Sequence, residues 1–342
     1  MVSVPAPRDR RGFEIALICA LPLEAECVQE VFDKFWEDEG KKYGKAAGDP
    51  NTYTAGVIGE HNVVLAYMPG MGTTSAAAVA GAMRVSFSNI KLALVVGICG
   101  GMPYGADGQE IVLDDVIISQ ALIQYDFERQ YPEGFKRKTG VQETLGRPSP
   151  EIRGIQAKLG TNRYKQRMQN DIATFLKEME KKLPKTKPPA RENDVLYYSS
   201  YVHQHHTSAA CECGEGDRIC EAALKAACED LGCESAMRVA RNRLVDTTPQ
   251  PMVHFGITGS GNSVMKSGQH RDQVAKADGI IAFEMEGAGV WDYFPSIVIK
   301  GVCDYADSHK RKGWQGYAAA TAAACMKAFL VKWTPEERPT SP

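Results

Sequence analysis

The sequence predicts an α/β fold, and two observations carry that prediction. Apolar runs ending in glycine or other turn-forming residues recur at 13–21, 61–70, 91–101, 112–119, 252–261 and 296–304. Helical patterns fall between and after them, at 22–35, 73–87, 271–277 and 317–333. Continuous Val, Ile and Leu, rather than alternation, suit a largely parallel or mixed sheet covered on both faces.

The middle of the chain differs. Over 128–250 the strand signals fade, charge rises and proline breaks appear, as in "LPKTKPPAREND", beside one helical pattern at 153–183. The reading is a single α/β domain over 13–335, with an irregular, partly helical insertion at 128–250 and flexible ends at 1–12 and 336–342.

A chain of 342 residues can bury a substantial core, and 44% hydrophobic with 24% charged residues is ordinary globular composition. A net charge of −2 gives no reason to expect nucleic-acid or membrane binding. No apolar run approaches the roughly 20 residues of a membrane span, and "MVSVPAPRDRRGFE" holds no apolar signal core, so a cytoplasmic protein is the default expectation.

Three glycine-bearing turns follow buried runs: "PGMGTTSAAAV", "VGICGG" and "GSGN". The first lacks the acidic residue that a dinucleotide fingerprint needs about 20 positions on, and no Walker lysine is present. Ligands of open α/β sheets bind beyond the carboxyl ends of the strands, so these turns outline a small-molecule cleft. Acids stand at the same rim. Glu284 and Glu286 precede "GAG", and Asp304 ends the apolar run 296–304.

Together these motifs resemble the nucleoside phosphorylase/nucleosidase superfamily, most closely fungal purine nucleosidase-like proteins, with similarity to methylthioadenosine/S-adenosylhomocysteine nucleosidases. The resemblance rests on "ICALPLEAE", "GMGTTSAAAVA", "VVGICGG", "QYDF", "VHFGITGSGNSVMKSG", "FEMEGAGVWDYFP" and "GVCDYADSHKRKGWQGYAAATAAA", which fall in the family's order. It implies a central mixed sheet, partly closed into a barrel and flanked by helices. It also implies cleavage of the bond between ribose and a purine base, without a cofactor or catalytic metal, in a homo-oligomer.

That reaction needs a proton for the leaving base, negative charge beside the ribose and an aligned nucleophile. By the resemblance, Asp304 is the general acid toward purine N7, Glu286 binds the ribose hydroxyls, and Met285 packs on the ribose face. Glu284 is then a supporting carboxylate. A carboxyl in a partly desolvated site of this kind can keep its proton. Gly72, Cys99, Gly100, Val264, Met265, Phe283 and Trp314 complete the expected substrate-binding set. The plainer alternatives are a strand-end cap for Asp304 and a helix-start acid for Glu286 or Glu24.

The loop "ALPLEAE" carries no arginine for phosphate, and Glu24 falls where nucleosidases place the acid that activates water. Hydrolysis is therefore expected ahead of phosphorolysis, with a non-catalytic nucleoside-binding protein as the third reading. An Asp at the acid position suits adenine, as in adenosine. His309, Lys310, Arg311 and Lys312, with the basic residues of 127–140, are candidate contacts for a 5′-phosphate, as in ATP.

Five cysteines, at 19, 27, 99, 303 and 325, sit among apolar neighbours and read as buried. The other five cluster at 211, 213, 220, 228 and 233. His203, His205, Cys211, Cys213 and Cys220 are a candidate structural zinc set, with disulfides or free thiols as the alternatives.

Overall fold

The computed structural model describes residues 4–140, 144–206, 211, 213, 220–245, 250–310 and 312–334. In chain order its elements are β1 (Ile15–Cys19), α1 (Pro22–Glu30), β2 (Lys34–Phe35), β3 (Thr52–Ile58), β4 (His61–Tyr67), α2 (Thr73–Ser86), β5 (Leu92–Gly101) and β6 (Val116–Gln124). There follow β7 (Glu128–Tyr131), β8 (Gly134–Arg137), α3 (Pro150–Leu159), α4 (Asn162–Lys182) and α5 (Cys228–Leu231). The last are β9 (Val253–Ser260), α6 (Gly268–Asp278), β10 (Ile280–Glu284), α7 (Gly287–Trp291), β11 (Ser296–Asp304) and α8 (Gln315–Leu330).

β5 is the hub. Its first half pairs in parallel with β1, nearly its whole length pairs in parallel with β11, and its last two glycines pair antiparallel with β10. β10 lies parallel to β9, β9 parallel to β6, and β6 antiparallel to β11, so five strands close into a small barrel. From β5 the sheet continues open through β1, β4, β3 and β2. The result is a central mixed sheet, partly barrel-like, with helices against it.

Local chemistry explains where elements differ from the sequence expectation. The run 112–119 begins as a turn, because Asp114 takes a φ of 85° and Asp115 folds back to accept from Val112 N–H at 3.0 Å, so β6 starts at Val116. The single helix expected over 153–183 breaks at Gly160, and Thr161 starts α4. α4 belongs to the core: Met168, Ile172, Leu176 and Met179 form a buried stripe at helical spacing, and α4 packs on α8. α8 itself is buried almost all round, which its alanine run allows. At the N-terminus, Val4 and Ala6 pack against the core instead of hanging free. Among the described residues no helix is long and apolar enough to cross a membrane.

Candidate active site

Beyond the carboxyl ends of β1, β5, β10 and β11 lies one cleft of about 810 Å³, open solvent at its mouth included. Glu24, Glu286 and Asp304 all line it. Each side chain is set by its junction between strand and turn.

Pro22 opens α1, and Glu24 at the third helical position turns back to accept from Leu21 N–H at 2.9 Å, as a capping carboxylate does. The same Oε2 accepts from Ala20 N–H at 2.9 Å. Oε1 accepts from Ile98 N–H, on the neighbouring β5, at 2.8 Å. A helix start does not require this last bond; it fixes the carboxylate across two strands. A carboxylate has about four acceptor positions, so three bonds leave capacity on the cleft side. Gly97 makes the room, since a Cβ there would stand 2.1 Å from Oε1. Burial pushes the Glu24 carboxyl pKa up, Lys300 opposes that, and Glu286 adds to it.

Lys300 is the group that the sequence reading missed. It projects from the middle of β11, only 1% exposed, with Nζ 2.8 Å from Glu286 Oε2 and 4.0 Å from Glu284 Oε2. Burial alone would lower its pKa, but Glu286, Glu24 and Glu284 together hold the ammonium well above the ordinary lysine value. One buried cation thus ties three buried carboxylates. The signal was in the sequence, because a lone lysine inside an apolar strand cannot be buried without acids beside it.

Glu286 stands at the N-terminus of α7. Glu284 supplies the cap, its carboxylate accepting from Glu286 N–H and Gly287 N–H at 2.9–3.0 Å. α7 lies so close to α2 that a Cβ at Gly289 would stand 2.0 Å from the Thr73 carbonyl oxygen. That contact accounts for the second glycine of "GAG"; at the first, Gly287, a Cβ would stand 2.8 Å from the Leu122 and Val298 side chains.

At the cleft's other side Asp304 ends β11 and accepts from Ala306 N–H at 2.8 Å. Lys310 Nζ donates to both of its oxygens at 2.9 Å. Desolvation works against the Lys310 ammonium, yet the Asp304 carboxylate keeps its pKa above the usual value.

Met285, Cys99, Gly100, Val264, Met265, Phe283 and Glu284 line the same cleft. Three expected residues do not. Gly72, at a φ of 112°, starts α2 one residue behind Met71, which does line the cleft. Trp314 is buried and its indole donates to the Asn193 carbonyl at 3.2 Å, leaving Gln315 at the wall. His309 is buried and stacked on Tyr197 at 4.1 Å, away from the cleft. Arg311 lies outside the described residues. Of the other basic candidates, Arg137 pairs with Asp278, and Lys138 covers the Phe127 ring at 4.2 Å. Asp114 does not line the cleft; its N–H donates to the Val302 carbonyl at 2.9 Å and its carboxylate pairs with Arg191 at 2.6 Å.

Tyr125, Ser263, Cys303 and Ala306 also form walls that sequence reasoning had not named. Asn262 joins two of the glycine turns, its Oδ1 accepting from Thr73 N–H at 2.9 Å and from the Thr73 hydroxyl at 3.0 Å. Away from the cleft, the candidate zinc ligands split. His205, Cys211, Cys213 and Cys220 come together, whereas His203 lies with Cys228 and Cys233.

The chain belongs to the phosphorylase superfamily, whose family model matches residues 14–330. It is 34% identical over 332 residues to a nucleotide-binding leucine-rich repeat (NLR)-like protein of Hyaloscypha variabilis. That match takes in 95% of this chain and 30% of the relative, so the chain spans under a third of that protein's length. Among solved structures, it is similar to the 5′-methylthioadenosine/S-adenosylhomocysteine nucleosidase of Neisseria meningitidis, with a TM-score of 0.54 at 15% identity over 93% of this chain and 99% of that one. The MTA/SAH nucleosidase of Streptococcus pneumoniae gives a TM-score of 0.54 at 17% identity, over 93% and 99% of the two chains. Futalosine hydrolase of Helicobacter pylori gives 0.53 at 14% identity, over 94% and 98%. At such identities the likeness is one of fold.

Proposed function

We propose that the chain is a purine nucleosidase that hydrolyses the N-glycosidic bond of adenine-type nucleosides or nucleotides, adenosine and ATP being the pair to compare first. The products are free base and ribose or ribose phosphate. The observation that carries this reading is that Glu24, Glu286 and Asp304 line one cleft. The neighbours in fold are nucleosidases, solved in complex with methylthio-immucillin-A in one case and 8-aminoadenine in another.

In this reaction a water oxygen bonds to C1′ as the bond from C1′ to the base nitrogen breaks, its electron pair leaving with the purine. Glu24 takes the water's proton, and Asp304 gives one to N7. Glu286, held by Lys300, accepts from ribose hydroxyls and lends negative charge to the cationic sugar. The acid role requires that Lys310, whose Nζ stands 2.9 Å from both Asp304 oxygens, give way to the purine. The freed ammonium is the cation that a 5′-phosphate would meet.

Hydrolysis is preferred to phosphorolysis because Glu24 and Glu286 present like charge to a phosphate arriving beside the ribose, and Lys300 beneath them is already paired with Glu286. Separating free adenine by chromatography after incubation with adenosine, AMP and ATP, with and without phosphate, tests the reading. Phosphate-independent adenine release supports it. Strict phosphate dependence with ribose 1-phosphate as product makes the chain a phosphorylase instead. Absence of release from every purine substrate overturns the enzymatic reading, and release from adenosine alone removes the nucleotide half.

A further inference from the structure

The segment between β8 and β9 carries chemistry that glycosidic cleavage does not use. His205 Nδ1 lies 3.2 Å from Cys213 Sγ and 3.7 Å from Cys220 Sγ, and Cys211 Sγ lies 3.7 Å from Cys220 Sγ. All four donor atoms fall within 4.8 Å of one another. Tetrahedral zinc with Zn–S near 2.3 Å separates its sulfur ligands by about 3.8 Å, close to the spacing seen. A disulfide would need about 2.05 Å between two sulfurs and would leave a third sulfur and an imidazole converging on nothing.

A second group stands beside the first. His203 Nδ1 lies 3.7 Å from both Cys228 Sγ and Cys233 Sγ. The two cysteines meet because α5 is one short turn closed by Gly232 at a φ of 71°, after which Cys233 N–H donates to the Cys228 carbonyl at 2.9 Å. His203 Nε2 lies 3.2 Å from the Ala226 carbonyl. A donor at Nε2 leaves the lone pair on Nδ1, facing the sulfurs, which is how a backbone carbonyl orients a metal-binding histidine. In the first group Ala223 N–H points at Cys220 Sγ at 3.4 Å, an arrangement that favours a thiolate.

The segment also has reason to need cross-links. Among residues 220–245, the apolar side chains that are buried are Ala223, Cys228 and Leu231, too few for a core of their own.

We propose that this segment is a two-zinc module. One site is closed, with His205 and three thiolates, Cys211, Cys213 and Cys220, as its ligands; the other has three donors, His203, Cys228 and Cys233. The second site buttresses the catalytic loop. His203 N–H donates to Ser308 Oγ at 3.0 Å, and the His309 ring lies edge-on to His203 at 5.2 Å while stacking on Tyr197. Ser308 and His309 immediately precede Lys310, the partner of Asp304.

The test is the metal content of the full chain, purified without chelator or histidine tag from zinc-supplemented medium. Two zinc ions per chain are expected, falling to one in Cys220→Ser and to one in Cys228→Ser. Exchange into cobalt is expected to give the intense visible absorption of a tetrahedral thiolate site. A strong chelator is expected to lower the melting temperature and expose the segment to protease. A folded wild-type chain, judged by circular dichroism, with no zinc and no cobalt spectrum overturns the proposal. One zinc per chain, lost in Cys220→Ser but kept in Cys228→Ser, overturns the second site and keeps the first. Thiol counting on the denatured, unreduced protein adds an independent check: ten free thiols agree with metal ligation, and missing thiols in pairs contradict it.

Discussion

Lys300 Nζ lies 2.8 Å from Glu286 Oε2, both side chains buried at the floor of the cleft that Glu286 lines. The ammonium offsets the burial of three carboxylates, and it lowers the pKa that burial raises on Glu24. A general base must be ionised, so kcat/KM is expected to fall on the acid side as pH drops through the raised Glu24 pKa, above the ordinary glutamate value. Lys300→Met removes the lowering contribution, so that acid limb moves to higher pH, and kcat at neutral pH falls by about 10²-fold or more. Lys300→Arg should restore most of both. A pH–rate profile in which the Met variant keeps the wild-type acid limb would show that Glu24 is not the group titrating.

Asp304 answers a different question. Asparagine keeps an oxygen for Ala306 N–H but has no proton to give to N7. Asp304→Asn should therefore lower base release by about 10²- to 10⁴-fold while the melting temperature stays within a few degrees. Stopped assays with adenosine, run beside a thermal melt, read both. Retention of wild-type turnover would remove Asp304 from the role of acid.

Gly97 is expected to behave as a catalytic position without touching substrate. A methyl at 2.1 Å from Glu24 Oε1 has to displace that carboxylate and its bond to Ile98. Gly97→Ala should reduce kcat nearly as far as Glu24→Gln. The double variant should then lose little more, because both changes remove the same group. Additive losses in that cycle would mean that Gly97 acts through the strand instead.

These expectations also show what the sequence made legible. Glu24, Glu286 and Asp304 could be read because each sits where an apolar run gives way to a turn, within a recognisable motif. Lys300 could not be read from the run 296–304 taken as a whole, although its isolation among apolar neighbours was the clue. β10 was hidden because its last two residues, Phe283 and Glu284, were absorbed into the acid motif, which left Ile280, Ile281 and Ala282 too short a run to read as a strand, although all five are buried. β3 was hidden for the opposite reason: its first four residues, Thr52 to Ala55, are exposed or half-buried, and only its last three are buried. The hairpin of β7 and β8 is charged and largely exposed, so it carries no core signal. His309 and Trp314 were placed in the site by proximity along the chain, but their rings go to Tyr197 and to Asn193.

Asp114 gives a last test, this time of stability. Its φ of 85° is left-handed backbone, which disfavours a side chain by about 1–2 kcal/mol. Its carboxyl is buried beside Asp115, and desolvation and that neighbour push its pKa well up, against the pull of Arg191. Arg191 is the more exposed partner, with 21% of its side chain in solvent, so it can keep its charge hydrated without Asp114. Asp115 has its own partners, Arg243 at 3.0 Å through one oxygen and His254 at 2.9 Å through the other, and it loses a repulsive neighbour. Asp114→Gly should therefore stabilise the fold by about 1 kcal/mol, a rise of roughly 2 °C in melting temperature for a chain of this size. The gain should shrink as pH falls, because protonation of Asp114 relieves the same repulsion in the native protein. A lower melting temperature in the glycine variant at neutral pH would mean that the Arg191 ion pair outweighs both the backbone strain and the clash of carboxylates.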